Sequence, residues 1–292
     1  MPRLLALESS LAGWHCMVRL LEPPHSCKQS LWKRLLEGTY DKPFILDTGR
    51  LRHLQFDLDA VQSAMRLDDP HRLHLAYTRK MMAFLLFQRA PERILMLGLG
   101  GGSLAKFCYR RLPSTTITTV ELNPDVIALR EAFRIPADND RFRIIHGDSA
   151  NYVAGLGPGK DVILVDACDR TGVAPALHSV EFFQSAWRRL SPGGVFVMNL
   201  CADRLGAASL LAKIRHAFGE FMTLRVRPDG NLIVFALKED RLEIPWQRLA
   251  SHAIGLKRQF GLEFPRFVRH IALEWQLRGA GTAGVEGRSG SG

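Results

Sequence analysis

Between Arg93 and Leu237 short apolar runs alternate with stretches of helical periodicity, and nothing else in the chain restricts its fold so tightly. Strands are expected over 93–97, 115–120, 141–145, 161–165 and 195–199. Helices are expected between them over 103–111, 124–133, 179–190 and 205–218, the second opening favourably on Pro124. The strands are too apolar to leave either face wet, so they call for a mostly parallel sheet covered by helices on both sides. A final pair, 223–226 and 232–237 around Pro228-Asp229-Gly230, reads as a hairpin that adds one antiparallel strand. The fold class is α/β, a Rossmann-like sheet.

The flanks are of a different kind. Up to Pro43 the chain is mixed, with a break at Pro23-Pro24 and a short helix over 31–36. Two short strands, 44–47 and 51–56, surround the turn candidate Thr48-Gly49, which makes a small β appendage. Residues 73–89 form a helix that ends before Pro91, with Leu75, Met82, Leu85 and Leu86 available to one apolar region. Residues 242–277 read as helical with a break near Pro265, and Trp246, Phe260, Phe264, Phe267 and Trp275 in them as packing residues. The last fourteen residues hold six glycines and are expected to be disordered. The division is therefore 1–70 for the appendage, 71–240 for the α/β domain, 241–278 for a helical extension and 279–292 for a tail.

Five cysteines are scattered without a close pair, which suggests neither a zinc knuckle nor a disulfide framework. No run approaches a membrane span and no secretory leader is evident, so a cytoplasmic protein is expected. A formal charge of +10 invites a nucleic-acid partner. The arginines are interspersed with acids, however, and no aromatic-interleaved basic patch stands out, so an anionic small substrate or incidental basicity accounts for the charge better.

Directly after the first strand of the alternation comes Gly98-Leu99-Gly100-Gly101-Gly102-Ser103. A glycine turn there lets the backbone approach a ligand, and the next helix offers unpaired N–H groups and its positive end. No Gly-Lys-Ser/Thr follows, so a phosphate loop is not supported. Glu121 closes the next strand, twenty-three residues after Gly98, where a carboxylate can accept both hydroxyls of a ribose. Asp148, in His146-Gly147-Asp148-Ser149, is suited to accept an adenine amino group. Gly98, Gly100, Gly101, Gly102, Glu121 and Asp148 thus describe a nucleoside site at the carboxyl ends of the strands.

The fourth strand runs into Asp166-Ala167-Cys168-Asp169-Arg170. Asp166 and Asp169 could face one pocket and hold an amine as it loses a proton. The plainer alternative makes Asp166 a cap and Asp169 a surface acid paired with Arg170. Tyr77 could orient a substrate amine or simply fill the core; His146 adjoins the adenine loop; Cys168 reads as a pocket wall. His71 and His74 lack an acid at ligand spacing, so no metal is assigned.

These motifs resemble the spermidine synthase (polyamine aminopropyltransferase) family, within the class I AdoMet-dependent methyltransferase fold. The marks are the segment from Ile94 to Gly102, Val120-Glu121-Leu122-Asn123, Gly147-Asp148-Ser149, the segment from Val162 to Asp169, Ala174-Pro175-Ala176-Leu177 with Glu181-Phe182-Phe183, and Leu190-Ser191-Pro192-Gly193-Gly194-Val195. The resemblance implies a small N-terminal β-domain, which the two short strands match. It implies decarboxylated S-adenosylmethionine as co-substrate, with S-adenosylmethionine itself as the alternative, and an amine or other small nucleophile as acceptor; it also supports a homodimer, for which the β appendage is a candidate interface. It gives Glu121 to the ribose, Asp148 to adenine, Asp166 to activation of the amine, and Asp169 and Tyr77 to the amine pocket.

Two departures bear on the reaction. The family's Gly-Gly-Gly-Asp-Gly reads Gly98-Leu99-Gly100-Gly101-Gly102, so the acid that would hold the aminopropyl ammonium has become Gly101. A Gln-Glu pair after Tyr77 reads Thr78-Arg79. Arg79, placed near the pocket, is expected to disfavour a polyamine and to favour an acidic group such as the carboxylate of intact S-adenosylmethionine. Aminopropyl transfer and methyl transfer stand level at this point. A catalytically silent nucleoside-binding regulator and an RNA methyltransferase are the alternatives.

Overall fold

The computed structural model describes residues 4–11, 14–169, 172–173, 175–201, 206–227, 230–239 and 243–286. Five antiparallel strands, β1 (Leu5–Leu11), β2 (Trp14–Leu20), β3 (Phe44–Thr48), β4 (Leu51–Gln55) and β5 (Val61–Arg66), form an N-terminal meander in that order, with α1 (Lys28–Leu36) inserted after β2. The appendage therefore has three strands more than the two expected. Leu5 and Leu7 alternate with less buried neighbours, as do Cys16, Val18 and Leu20, and the four aliphatic side chains of this set pack with Leu31 and Leu35 of α1. Two-residue periodicity at these positions is the mark of a half-buried sheet.

The segment expected as one helix over 73–89 is instead α2 (Ala76–Met81) followed by a 3₁₀ segment, Met82–Leu86, all five of whose side chains are buried. Then come β6 (Arg93–Leu97), α3 (Ser103–Arg111), β7 (Thr116–Glu121), α4 (Pro124–Ala128), β8 (Phe142–His146), α5 (Ser149–Ala154) and β9 (Lys160–Val165). After a two-strand ribbon, β10 (Cys168–Asp169) and β11 (Gly172–Val173), follow α6 (Val180–Arg189), β12 (Leu190–Cys201), α7 (Ala207–Phe218), β13 (Phe221–Arg225) and β14 (Asn231–Leu237). The chain closes with α8 (Trp246–Phe260) and α9 (Phe264–Glu286).

The main sheet has the order β13-β14-β12-β9-β6-β7-β8, with β14 antiparallel to both its neighbours and the strands from β12 to β8 parallel. The expected antiparallel strand is β14. Along β6, Ile94 and Met96 enter one core, and Leu95 and Leu97 enter the other. Val162 and Leu164 of β9 divide from Ile163 and Val165 in the same way. Both faces are thus covered, as the apolar strands require.

Several boundaries differ for local reasons. Helix α4 stops at Ala128, short of the expected Phe133, because i→i−3 bonds from Leu129 and Arg130 tighten the chain and Arg134 takes a positive φ of 53°. Strand β12 begins at Leu190, ahead of the expected start at 195, and Ser191–Gly194 form a register shift within it between Leu190 and Val195. The C-terminal break comes at Gly261, a left-handed cap on α8, and Pro265 sits in the first turn of α9 instead. Helix α9 runs on to Glu286, past the expected helix end at 277. Residues 287–292 of the expected tail lie outside the described residues, as do Pro228 and Asp229 of the hairpin turn. The five aromatics expected to pack do so, in the core that covers the α8 and α9 face. Among the described residues no helix is long and apolar enough to cross a membrane.

Lys106 of α3 is fully buried where the appendage meets the main domain; its Nζ donates to the Phe133 carbonyl at 2.7 Å and lies 3.1 Å from the Met65 sulfur. Burial, aided by the Arg134 charge, pushes its ammonium down to about 7. An unfolded chain therefore binds more protons than the folded one from about pH 7 up toward the ordinary lysine value of 10.5. Stability should rise with pH across that window, by at most about 1.4 kcal/mol per unit. Denaturant titrations at pH 7 and pH 9 should register the rise, and Lys106→Met should remove most of it. An equal rise in the variant would contradict this account of Lys106.

Candidate active site

The first strand of the alternation, β6, stands at the centre of the parallel set, with the chain proceeding one way to β7 and β8 and the other way to β9 and β12. Such a reversal opens a crevice at the carboxyl ends of the strands. A cavity of about 540 Å³ lies there, of the size that small ligands occupy. Gly98, Gly100, Glu121, Asp148, Asp166 and Tyr77 all line it. Six positions distant in sequence are therefore brought together. Gln62 and Ser63 of β5 also reach it, so the appendage closes one side.

The glycine turn is shaped by its neighbours. Gly98 has φ +95° and donates to the Val120 carbonyl at 2.9 Å; a Cβ on it would sit 2.3 Å from the Asp166 carbonyl oxygen. Only glycine allows β6 to leave the sheet so close to the exit of β9. Gly101 and Gly102, both expected to touch the cofactor, do not line the cavity. A Cβ on Gly101 would lie 2.7 Å from Ser63 Oγ and 3.0 Å from Phe133 Cδ1, and one on Gly102 would lie 2.5 Å from Ile135 Cγ1. These two glycines accommodate the packing of β5 and of the segment after α4 against the turn.

Glu121 ties two loops together. Its Oε2 accepts from Leu99 N at 2.8 Å and its Oε1 from Asn123 N at 2.9 Å. A carboxylate has roughly four acceptor sites, so capacity for a diol is left. Asp148 caps α5, its Oδ1 accepting from Asn151 N at 2.7 Å. That cap explains a helix that hydrophobic periodicity alone did not suggest. His146 lies outside the cavity lining, its Nε2 paired with the Leu122 carbonyl at 3.1 Å.

Asp166 is held from two sides. Asn199 Nδ2 donates to its Oδ1 at 3.0 Å, Asn231 Nδ2 in turn donates to Asn199 Oδ1 at 2.8 Å, and the Tyr77 side chain hydrogen-bonds Asp166 from α2. Burial pushes the Asp166 carboxyl above the usual carboxylate range; the bonds from Asn199 and Tyr77 oppose the shift without cancelling it. A carboxylate so placed can take a proton from a cationic amine. Removing the hydroxyl in Tyr77→Phe takes away a bond that favours the ionised form. The acid limb of any turnover profile should then move to higher pH, with turnover reduced roughly tenfold; an unmoved limb would reject the coupling.

Asn199 and Asn231 were missed from sequence. Their signal was present: Asn199 is a polar residue near the carboxyl end of an otherwise apolar central strand, where a buried amide needs a partner. Cys168 and Asp169 lie in β10, where the backbone alone is described; Arg170 lies outside the described residues. Arg79 does not enter the cavity, contrary to expectation. Its guanidinium donates to the Leu73 and His74 carbonyls, in a different cavity, while Thr78 lines the first and donates to the Leu75 carbonyl at 2.7 Å. Two adjacent residues on a helix point about 100° apart, so only one of the pair can face the site. Among the described residues no group of three or more His, Cys, Asp or Glu side chains is arranged to hold a metal ion.

The chain is similar both to aminopropyltransferases and to methyltransferases. A polyamine aminopropyltransferase of Chromobacterium violaceum is 38% identical over 229 residues, which is 78% of this chain and 88% of the relative. A human eEF1A lysine and N-terminal methyltransferase is 30% identical over 210 residues, 65% of this chain but only 30% of that protein. Among solved structures, human methyltransferase-like protein 13 in complex with SAH matches 64% of this chain and 93% of its own, with a TM-score of 0.59 and 26% identity. Spermidine synthase from Thermotoga maritima matches 75% and 84%, with a TM-score of 0.52; at 19% identity it attests the shared fold. The spermine/spermidine synthase domain matches residues 74–222, from just before α2 to the start of β13. With more than half its length matched by that domain, and its glycine turn, strand-end acids and Tyr77–Asp166 pair gathered in one crevice, the chain belongs to the spermine/spermidine synthase family.

Proposed function

We propose that the protein transfers the methyl group of intact S-adenosylmethionine to an amine nitrogen held beside Asp166 and Tyr77. The observation that carries the choice of methyl over aminopropyl is the environment of Gly101. No carboxylate stands where the family would hold an aminopropyl ammonium, and Ser63 and Phe133 crowd the space into which one would project. An ammonium without a paired acceptor is costly to enclose.

The cavity edge formed by Ser63 and Ser103, next to Gly101, suits a carboxylate. Helix α3 begins beside it with Gly102 as N-cap and no side-chain cap, so its first N–H groups and positive end are available to an anion. The Ser63 and Ser103 hydroxyls, 3.5 Å apart, add donors at the same edge. The ribose would be held by Glu121 and the adenine by Asp148. S-adenosylmethionine supplies an electrophilic carbon on a sulfonium; the chain supplies alignment and a base. As the amine nitrogen forms its bond to the methyl carbon, the carbon–sulfur bond breaks with its electron pair left on sulfur, and the amine proton passes to Asp166.

Aminopropyl transfer is the second reading, favoured by the aminopropyltransferase relative at 38% identity and by the Tyr77–Asp166 pair. Calorimetric titration separates the two. Intact S-adenosylmethionine should bind roughly fivefold or more tightly than its decarboxylated form, the ratio that about 1 kcal/mol of charge–dipole energy provides. The reverse order would overturn the methyl reading in favour of the aminopropyl one.

A further inference from the structure

A second cavity, of about 530 Å³, shares no lining residue with the first. Its wall carries five arginines and two histidines against one carboxylate, that of Asp69. Some of this charge is already engaged. Arg66 is paired with Asp68, with Nε 2.9 Å from Oδ1; Arg111 donates to the Gln259 carbonyl and lies over the Phe260 ring; Arg79 donates to backbone carbonyls. Arg72 and Arg110, both exposed, make no side-chain hydrogen bond or ion pair among the described residues. His71 keeps a buried Nδ1 without a hydrogen-bond partner.

The concentration of positive charge is felt within the cavity. Burial lowers the His71 and His74 imidazoles, and nearby guanidinium groups lower them further: Arg110 for His71; Arg79, Arg66 and Arg72 for His74. Even after the Asp69 and Asp68 carboxylates are set against five guanidinium groups, an excess of three positive charges is left. A concave wall focuses such a field, and guanidinium forks match phosphate oxygens two at a time. A monoanion would leave most of the excess uncompensated. Beneath the charges lies an apolar floor, the buried rings of Phe107 and Phe260 with centroids 6.3 Å apart, flanked by Leu73 and Leu262.

We infer that this cavity is a binding site for a small molecule bearing a di- or triphosphate, gripped by Arg72 and Arg110 over the Phe107–Phe260 floor. The inference does not rest on the reaction proposed above, since no residue of the first cavity takes part.

The test is calorimetric titration of the full chain at fixed ionic strength, with inorganic triphosphate and, separately, adenosine triphosphate. Single-site saturable binding of triphosphate is expected, far tighter than that of sulfate at matched ionic strength. The double variant Arg72→Ala, Arg110→Ala should weaken it at least about tenfold, while Arg248→Ala, an exposed charge on α8 outside the cavity, should leave it unchanged. Arg110→Gln alone serves as a milder second variant and should weaken binding severalfold; thermal melts establish that each variant is folded. Tighter binding of the nucleoside triphosphate that the double variant abolishes would mean that the aromatic floor takes the base; tighter binding that the double variant leaves intact would place the nucleotide in the first cavity and count against the second; equal binding would mean that the phosphates alone are read. Absence of saturable binding, sulfate binding as tight, or equal losses in Arg248→Ala and the cavity variants would overturn the proposal.

Discussion

Asp166→Asn should reduce turnover by roughly 10²- to 10⁴-fold, the usual contribution of a positioned general base, while changing co-substrate affinity by less than about threefold. The amide keeps an oxygen that can accept from Asn199, so the chain of bonds from Asn231 through Asn199 need not collapse. The loss would not be one of folding. A carboxyl raised by burial contributes stability below its ordinary pKa and loses it as pH rises through the raised value. At neutral pH the ionised form is thus the costly one, and an uncharged isostere should be as stable as the parent or more so. Parallel measurements of turnover, co-substrate binding and denaturation midpoint check all three statements. Turnover within about threefold of the parent, at a rate where chemistry is limiting, would remove Asp166 from its proposed role.

Gly98→Ala should damage the fold itself. The new methyl would stand 2.3 Å from the Asp166 carbonyl oxygen, 2.9 Å from its carbonyl carbon and 3.1 Å from Ala167 Cα, all backbone atoms that cannot swing aside. The position also has φ +95°, which L residues rarely adopt. Overpacking of this kind costs about 1–3 kcal/mol and the backbone conformation about 1–2 kcal/mol more, so a loss of roughly 2–5 kcal/mol is expected. Any relaxation must move the exit of β9, which carries Asp166. Urea denaturation should register the loss, and whatever folded protein is left should bind S-adenosylhomocysteine poorly. A loss under about 1 kcal/mol with unchanged binding would mean that the turn is not packed against β9 in this way.

The order of strands and helices from β6 to β14 could be read in the sequence because both faces of the sheet are covered, which writes each strand as a short continuous apolar run. The appendage was harder. Leu5, Leu7, Cys16, Val18 and Leu20 alternate over too few residues to stand out from the surrounding polar segments, and their significance lies in the pairing of β1 with β2 and of β2 with β3, the second a long-range contact. The carboxylates at the strand ends were legible because a sheet of this kind places its ligands there. Asn199 and Asn231 were not, because their role depends on one another and on Asp166 across three strands. Arg79 misled for a similar reason: its neighbour Tyr77 faces the first cavity, and only the helical rotation between them turns the guanidinium toward the second. The Gly101 substitution was visible as a missing acid, but its physical meaning, a position crowded by Ser63 and Phe133, required the packing of the appendage on the turn.

The central claim is that this family crevice now moves a methyl group. The direct measurement is mass spectrometry of reactions in which the purified chain meets S-adenosylmethionine or its decarboxylated form with a pool of small amines and cell metabolites. The account predicts an acceptor heavier by one CH₂ unit and S-adenosylhomocysteine as co-product, formed with the intact co-substrate and lost in Asp166→Asn. An acceptor heavier by C₃H₇N with methylthioadenosine as co-product, formed only with the decarboxylated co-substrate, would contradict it, as would binding of both without any product.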